Sequence, residues 1–321
     1  MLIKLLENCD FETFKDISNS MGYIFNSEKW LKIYDNISLY GIYDNQQKLV
    51  GGFHIYNGKQ YSLKHLNNPP YAPHIGLFFE NKSQNKSNFQ SYTKSIIELV
   101  AEFIDTLPSK IITLAIPPIF KDMQPFIWKN FKVIPNYTYQ INLNQLSLED
   151  IQNNFSPERR NDIKKAIKDG VETKLNHDNE IVKKLILKTF SRKEKAVNDE
   201  LLNKILFEFA DETNSFSFVS YKNNLPSAAA FCIYTKQRAY YLLGGYDNAN
   251  KHQGAGASAV WECMKHAKNL GVEYFDFEGS MIPAVEKYFR GFGGDLVTYF
   301  TINKAPMPIE IALKFIKRSI F

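Results

Sequence analysis

The sequence predicts an α/β (α+β) protein of two similar halves, each a mixed, mostly antiparallel sheet flanked by helices. Three observations carry that prediction. The chain repeats itself: GGFHIYNGKQYSL at 51–63 matches AAAFCIYTKQRAYYL at 228–242, with Phe53 and Tyr56 falling on Phe231 and Tyr234. Further on, 111–116 falls on 272–277, and Trp128, Phe131, Tyr139 and Ile141 fall on Phe289, Phe292, Phe300 and Ile302. Runs of aromatic and β-branched residues alternate with stretches whose apolar residues recur at helical spacing. The size also fits, because 321 residues at 44% hydrophobic can bury two ordinary cores, and 18 Tyr with 25 Phe favour strand-rich layers. The expected domains are 1–145 and 146–321.

In order, 1–6 reads as a strand and 10–18 as a short helix that Asp10 can cap. Ser27 precedes a helical turn at 28–34, where Trp30, Leu31 and Tyr34 make one apolar stripe. Strands at 39–43, 49–56 and 61–66 form a meander around Asp44-Asn45. A loop at 67–88 contains NNPPYAP and NKSQNKSN, and a helix at 89–107 follows. The strand 111–116 is stopped by Pro117-Pro118, and a strand at 137–143 closes the half. The second half opens with SPERRNDIKKAIKDG, where Ser156 is an N-cap, Pro157 the first helical residue and Gly170 the stop. Ile163, Ala166 and Ile167 are its expected core stripe. Helices at 179–190 and 199–210 come next, the latter with Leu202, Ile205, Leu206 and Phe209 on one side. Strands at 216–221, 227–234 and 238–245 make a second meander. Gly254 to Ala257 then open a helix whose Ala257, Val260, Trp261, Met264 and Ala267 share a face, and Gly271 ends it. A strand at 272–277 exits through Glu278-Gly279-Ser280.

The functional signal lies at that last turn. Small residues leave the first backbone N–H groups of the helix uncovered, and with the helix dipole they suit a phosphate beside a strand end. The packing alternative is a glycine-rich loop that only lets helix and strand approach closely. The first half has NKSQNKSN in place of the glycine turn and Pro117-Pro118 in place of Glu278-Gly279, so it offers neither phosphate site nor carboxylate. The chemistry is therefore expected in the second half, with a degenerate first half supplying a wall of an acceptor cleft. A net charge of +5 is too mild to announce DNA binding. Six scattered histidines and three isolated cysteines offer no metal frame, and no stretch approaches the roughly 20 apolar residues of a membrane span. These features lead to the expectation of a cytoplasmic protein without a metal.

FNSEKW, SPERRNDIKKAIKDGV and FDFEGS…YFRGFGG, taken in order, resemble segments of the GNAT superfamily and of its tandem Fem-type aminoacyltransferases and their acetyltransferase relatives. The resemblance covers nearly the whole chain. Lys251-His252-Gln253-Gly254-Ala255-Gly256 resembles the superfamily's R/Q-x-x-G-x-G/A turn with Lys in the first place. Phe289-Arg290-Gly291-Phe292-Gly293 resembles the Fem-type aromatic-Lys-x-aromatic-Gly segment with Arg for Lys. The long coiled-coil insertion associated with tRNA use is not visible.

The resemblance implies transfer of an acyl group from acyl-CoA to a primary amine of a small or lipid-linked acceptor. It places phosphates on Gln253, Gly254, Ala255, Gly256 and Ala257, and the donor's pantetheine arm along Leu243 and Gly244. Asp276 and Glu278 alternate along a strand and are expected on one face; that face is either simply solvated or a site where Glu278 acts as general base and Asp276 holds structure or substrate. Arg290 is either a surface cation or an oxyanion or phosphate ligand. Tyr288 is either a core aromatic or the acid that protonates a leaving thiolate. Arg159, Arg160 and Lys164, with Lys32 more weakly, are either solvated cations or contacts for an anionic acceptor. The tail IEIALKFIKRSIF either docks on its own protein or touches an anionic membrane, which would put the protein at the membrane's inner face. Fem-type transfer from aminoacyl-tRNA and non-catalytic binding are the alternatives.

Overall fold

The computed structural model describes residues 1–60, 62–192, 198–279 and 281–316. Tyr61 of the third expected strand, Ser280 of the polar exit, and Lys317, Arg318 and Ile320 of the tail lie outside the described residues. The chain forms two compact units, Met1–Asn136 with Thr298–Phe321, and Tyr137–Val297.

The strands are β1 (Leu2–Leu5), β2 (Ile37–Tyr43), β3 (Leu49–Gln60), β4 (Leu63–Asn67), β5 (Phe78–Phe79), β6 (Ile111–Ile116), β7 (Lys132–Asn142), β8 (Glu172–Asn176), β9 (Ser215–Lys222), β10 (Leu225–Tyr234), β11 (Arg238–Tyr246), β12 (Tyr274–Asp276) and β13 (Asp295–Lys304). In the first unit the order is β1-β2-β3-β4-β6-β13, with β5 on β3. Only β4 and β6 run parallel, joined through the helix Lys86–Thr106. In the second unit the order is β7-β12-β11-β10-β9-β8. Here β11 and β12 are the parallel pair, joined through the helix Ala255–Asn269. Each unit is thus a meander, a crossover helix and a parallel strand, as the repeat implies.

The final strands are exchanged. β7, the end of the first half in sequence, pairs with β12 (Phe275 opposite Ile141), and β13 pairs with β6 (Ile302 opposite Leu114). This corrects the expected division at residue 145. Duplicated strands carry the same inward pattern, Tyr139 and Ile141 in one and Phe300 and Ile302 in the other, so either copy can satisfy the free edge of β6 or β12.

In the first unit Ile96, Ile97, Val100, Ala101 and Ile104 of the crossover helix are buried in one core with Phe53, Ile55, Leu114 and Ile302. Asn85 caps that helix by accepting from the N–H groups of Ser87 and Asn88, which starts it three residues before the expected 89. The C-terminal helix Met307–Ile316 packs Leu313 and Ile309 on Ile111 and Leu63, while Met307, Ile311 and Phe315 are exposed. In the second unit Ala257, Val260, Trp261, Met264 and Ala267 are all buried against β7, β10, β11 and β12. Ser156 caps the helix Pro157–Lys168 through the Arg159 N–H. Its stripe is narrower than expected: Ile163 and Ala166 are buried, but Ile167 is 72% exposed. The helix at Asp199–Asn203 widens into a π-helix at Lys204–Phe209, and Leu202, Ile205, Leu206 and Phe209 remain buried.

Candidate active site

The site is built where β11 and β12 part. Their parallel pairing covers Arg238–Tyr240 against Tyr274–Asp276, yet β11 continues to Tyr246. A bulge adds to the divergence, because Tyr241 lies opposite Cys232 and Leu243 opposite Phe231, leaving Leu242 extra. Beyond Tyr240, β11 therefore presents a backbone edge that β12 does not cover. Gly244 makes room for a neighbouring side chain: a Cβ there would stand 2.1 Å from Tyr241 Oη. A Cβ at Gly245 would meet the backbone of Ile186 at 2.7 Å, so the helix Asn179–Arg192 closes that end.

The two carboxylates at the β12 exit have opposite characters. Asp276 is 3% exposed and accepts from Thr138 Oγ1 (2.7 Å), Gln140 Nε2 (2.8 Å), Arg238 (3.2 Å) and the Glu278 N–H (2.8 Å). With its lone pairs engaged it ties β7, β11 and β12 together, which is the structural role. Glu278 follows in the left-handed region, at φ 55°, which breaks the expected strand alternation. Its Oε1 is buried with no hydrogen-bond partner among the described residues. Burial, and secondarily the charge of Asp276, push its carboxyl well above the usual range. Positive φ at a non-glycine residue together with a buried carboxyl oxygen lacking a partner among the described residues makes Glu278 the candidate functional carboxylate.

At the helix start the N–H of Gly254 donates to His252 Nδ1 (3.1 Å) and that of Ala255 to the His252 carbonyl (3.2 Å). His252 in turn meets Asp169 at 3.1 Å. The helix Pro157–Lys168 lies directly on the turn, because a Cβ at Gly254 would stand 2.0 Å from the Asp162 carbonyl. Gly254, Ala255 and Ala257 are buried. The expected set of exposed donors is accordingly reduced: two of the amides are already bonded, and Gly254 serves helix packing. Gly256, half-buried, faces Tyr288 Oη at 3.4 Å from its would-be Cβ. Gln253 is exposed, donates to Asp162 Oδ1 (2.8 Å) and accepts from Lys165 Nζ (3.5 Å).

Arg159 joins this turn to Tyr288. Its guanidinium stacks on the Tyr288 ring, 4.7 Å from the centroid, and pairs with Asp162 at 2.8 Å and Glu158 at 2.9 Å. Gly291 makes room for its stem, with a would-be Cβ 2.8 Å from Arg159 Cγ. Burial raises the Tyr288 hydroxyl, and Arg159 opposes that shift. Tyr241, raised by burial with Tyr288 next to it, and the buried thiols Cys232 and Cys263 complete the surroundings. Both tyrosines are therefore neutral donors near neutral pH.

The remaining expected residues have other surroundings. Arg290 is exposed and pairs with Glu286 at 2.8 Å. It lies two residues after Tyr288 on one helix, roughly 200° around the axis, so the two cannot face one site. Arg160 donates to the carbonyls of Asn153 (2.8 Å) and Phe155 (2.7 Å), which caps the preceding helix Leu148–Asn153. Lys164 is exposed. Lys32 belongs to the first unit and pairs with Glu28 at 2.6 Å. Leu243 is buried at 3%, leaving its backbone rather than its side chain for any ligand. Among the described residues, one group close enough to share a metal ion is Glu7, Cys9 and Asp10, in the first unit. There Asp10 accepts from Tyr43 Oη at 2.7 Å and Glu7 pairs with Lys4. Tyr241 was not among the residues expected at the site; its signal in the sequence is a tyrosine pair, Tyr240-Tyr241, separated by two residues from Gly244-Gly245.

Comparison with known proteins agrees with this architecture. Residues 159–290 match the model of the acetyltransferase (GNAT) domain. Over 112 residues the chain is 28% identical to the aminoacyltransferase FemA of Staphylococcus aureus, covering 31% of this chain and 27% of that protein. The chain thus spans about a quarter of the length of the curated relatives it matches. Among solved structures, FemX superposes with a TM-score of 0.63 at 13% identity, covering 94% of this chain and 97% of that one. L-PGS from Bacillus licheniformis superposes with a TM-score of 0.58 at 10% identity, covering 99% and 98%. At such identities these two show the fold. The match to the acetyltransferase (GNAT) domain lies within the second unit, a stretch of the chain is similar to FemA, and the fold over nearly its whole length is similar to that of FemX.

Proposed function

We propose that the second unit transfers an acyl group from an activated donor to a primary amine, with Glu278 accepting the amine's proton. The observation that carries this reading is the buried Glu278 Oε1, without a partner among the described residues, two residues beyond the end of β12. The amine nitrogen bonds to the acyl carbon as its proton passes to Glu278, and the bond from that carbon to the leaving sulfur or oxygen breaks. Tyr288 or Tyr241 supplies a proton to the leaving atom, and backbone N–H groups of the β11 edge near Leu243 and Gly244 receive the carbonyl oxygen.

Acyl-CoA is the first donor reading. The helix start fits its diphosphate only in part, since the Gly254 and Ala255 amides serve His252, and Gly256, Ala257 and Lys165 would have to hold it. That partial coverage, together with the stretch similar to FemA, favours an aminoacyl ester of tRNA as the second reading. The acceptor is a small or lipid-linked amine, and contact with a membrane surface is compatible with it. Among the described residues no helix is long and apolar enough to cross a membrane. The test is mass spectrometry of products from native protein supplied with mixed amines and either several acyl-CoAs or charged tRNA. A new amide that disappears with Glu278→Gln is expected, and an amide formed equally by that variant refutes the role of Glu278.

A further inference from the structure

The first unit keeps a pocket in the position that the repeat assigns to the catalytic gap of the second, between the start of its long helix and the exit of its parallel strand. Two connected hollows lie there, of about 150 Å³ and 470 Å³, sharing Phe89, Thr93, Ile119 and Phe120 as lining. The chemistry is reversed. The helix start spends its amides on the Asn85 side chain, and the strand exit is Pro117-Pro118, so neither phosphate cradle nor base is present. Instead the smaller hollow is walled by Tyr23, Leu77, Phe78, Phe79 and Phe120, all but Tyr23 buried, with Phe79 and Phe120 stacked at 5.1 Å. Its lining is mainly apolar, with Asn81 and Thr93 as polar members, and suits a hydrocarbon. Ile119, 64% exposed, and Phe89, 46% exposed, stand on its rim.

The larger hollow is polar. Lys94 and Lys121 line it beside Ser91 and Gln90. Lys94 is held by Gln124 at 2.6 Å and Asp122 at 3.3 Å. Lys121 donates to the Thr298 carbonyl at 2.7 Å; partial burial lowers its pKa and no carboxylate offsets that. Asp122 also lines this hollow but pairs with Lys94, so Lys121 is an ammonium without an ion pair among the described residues beside an aromatic hollow, the pattern of an amphiphile site.

We infer that the first unit binds an amphiphile, its hydrocarbon chain in the hollow of Leu77, Phe78, Phe79 and Phe120 and its anionic head group at Lys121. The inference is independent of the proposed reaction, because it uses no residue of the second unit. The lipid carrier of a lipid-linked acceptor and a free fatty-acid-like molecule share this chemistry, and the test separates them.

Native protein is titrated with dodecyl phosphate below its micelle concentration, followed by calorimetry, and separately sedimented with phosphatidylglycerol vesicles. Saturable binding of monomeric dodecyl phosphate is expected. Ile119→Glu puts a charge on the rim without disturbing the core and is expected to weaken binding at least about tenfold. Lys121→Glu is expected to weaken dodecyl phosphate several-fold while leaving dodecanol unchanged. Glu278→Gln is expected to bind as the native protein does, so a failure of the catalytic reading leaves this result standing. Extraction of lipid from vesicles with the same sensitivity to Ile119→Glu identifies a membrane-borne chain; binding of the monomer alone identifies a free amphiphile. Absence of monomer binding, attachment to vesicles that ignores Ile119→Glu, or equal affinity for dodecyl phosphate in all variants overturns the inference.

Discussion

Replacing Glu278 by glutamine preserves size and backbone while removing the proton acceptor. The structure sets both kinetic and thermodynamic consequences. A positioned general base contributes about 10² to 10⁴ in rate, equivalent to about 3 to 5 kcal/mol of barrier. The carboxyl is raised above its ordinary value of 4.5, first by burial and then by Asp276. Native activity should therefore climb with pH as this carboxyl ionises, and the residual activity of the glutamine variant should lack that limb. Stability has the opposite dependence. A group whose pKa is higher folded than unfolded contributes fully below the unfolded value, and that contribution is lost as pH rises through the folded value. Between those two values the native protein should lose stability relative to Glu278→Gln by about 1.4 kcal/mol per pH unit. Transfer kinetics and urea unfolding across the acidic-to-neutral range measure the two effects. Unchanged transfer in the variant, together with a stability difference that does not vary with pH, would refute the assignment of a buried base.

Gly254→Ala should destabilise the protein by about 1 to 3 kcal/mol or more, because the Asp162 carbonyl stands 2.0 Å from the new Cβ, whereas Gly256→Ala should be mild at 3.4 Å from Tyr288 Oη; thermal unfolding distinguishes them. Asp276→Ala leaves Thr138, Gln140 and Arg238 without their shared acceptor and should lose about 3 to 5 kcal/mol in urea unfolding. Arg290→Ala removes an exposed pair with Glu286 and should change stability by less than about 1 kcal/mol. Its transfer rate should also stay close to native, and a large loss in kcat would return Arg290 to the site. Gly256→Glu should abolish donor binding if the donor passes the open amide of that turn, as calorimetry with acyl-CoA or charged tRNA would register.

Much of this protein was legible in its residues because the relevant signals are local. Periodicity and caps located the helices Pro157–Lys168 and Ala255–Asn269, whose N-terminal ends are set by Ser156 and Gly254. The repeat exposed two copies of one plan, and the loss of the glycine turn and acidic exit in the first copy pointed to the second. The pairing of Arg290 with Glu286 was also readable, since the two stand four positions apart along one face of a helix. What the residues did not contain was the choice among equivalent partners. Strands β7 and β13 carry the same inward pattern, so which edge each completes depends on the folding of the whole chain. The glycines of the turn posed the same ambiguity, and the carbonyl of Asp162, 92 residues earlier, decided that Gly254 is there for packing. Asp276 and Glu278 alternate alike in sequence, but three donors from β7 and β11 occupy the first, while the second follows with a left-handed backbone and a buried Oε1 that has no partner among the described residues. Sequence thus determined the elements and the candidates; only tertiary contacts determined which candidate carboxylate is satisfied and which keeps an oxygen unpaired among the described residues, because hydrogen-bond satisfaction is set by groups distant along the chain.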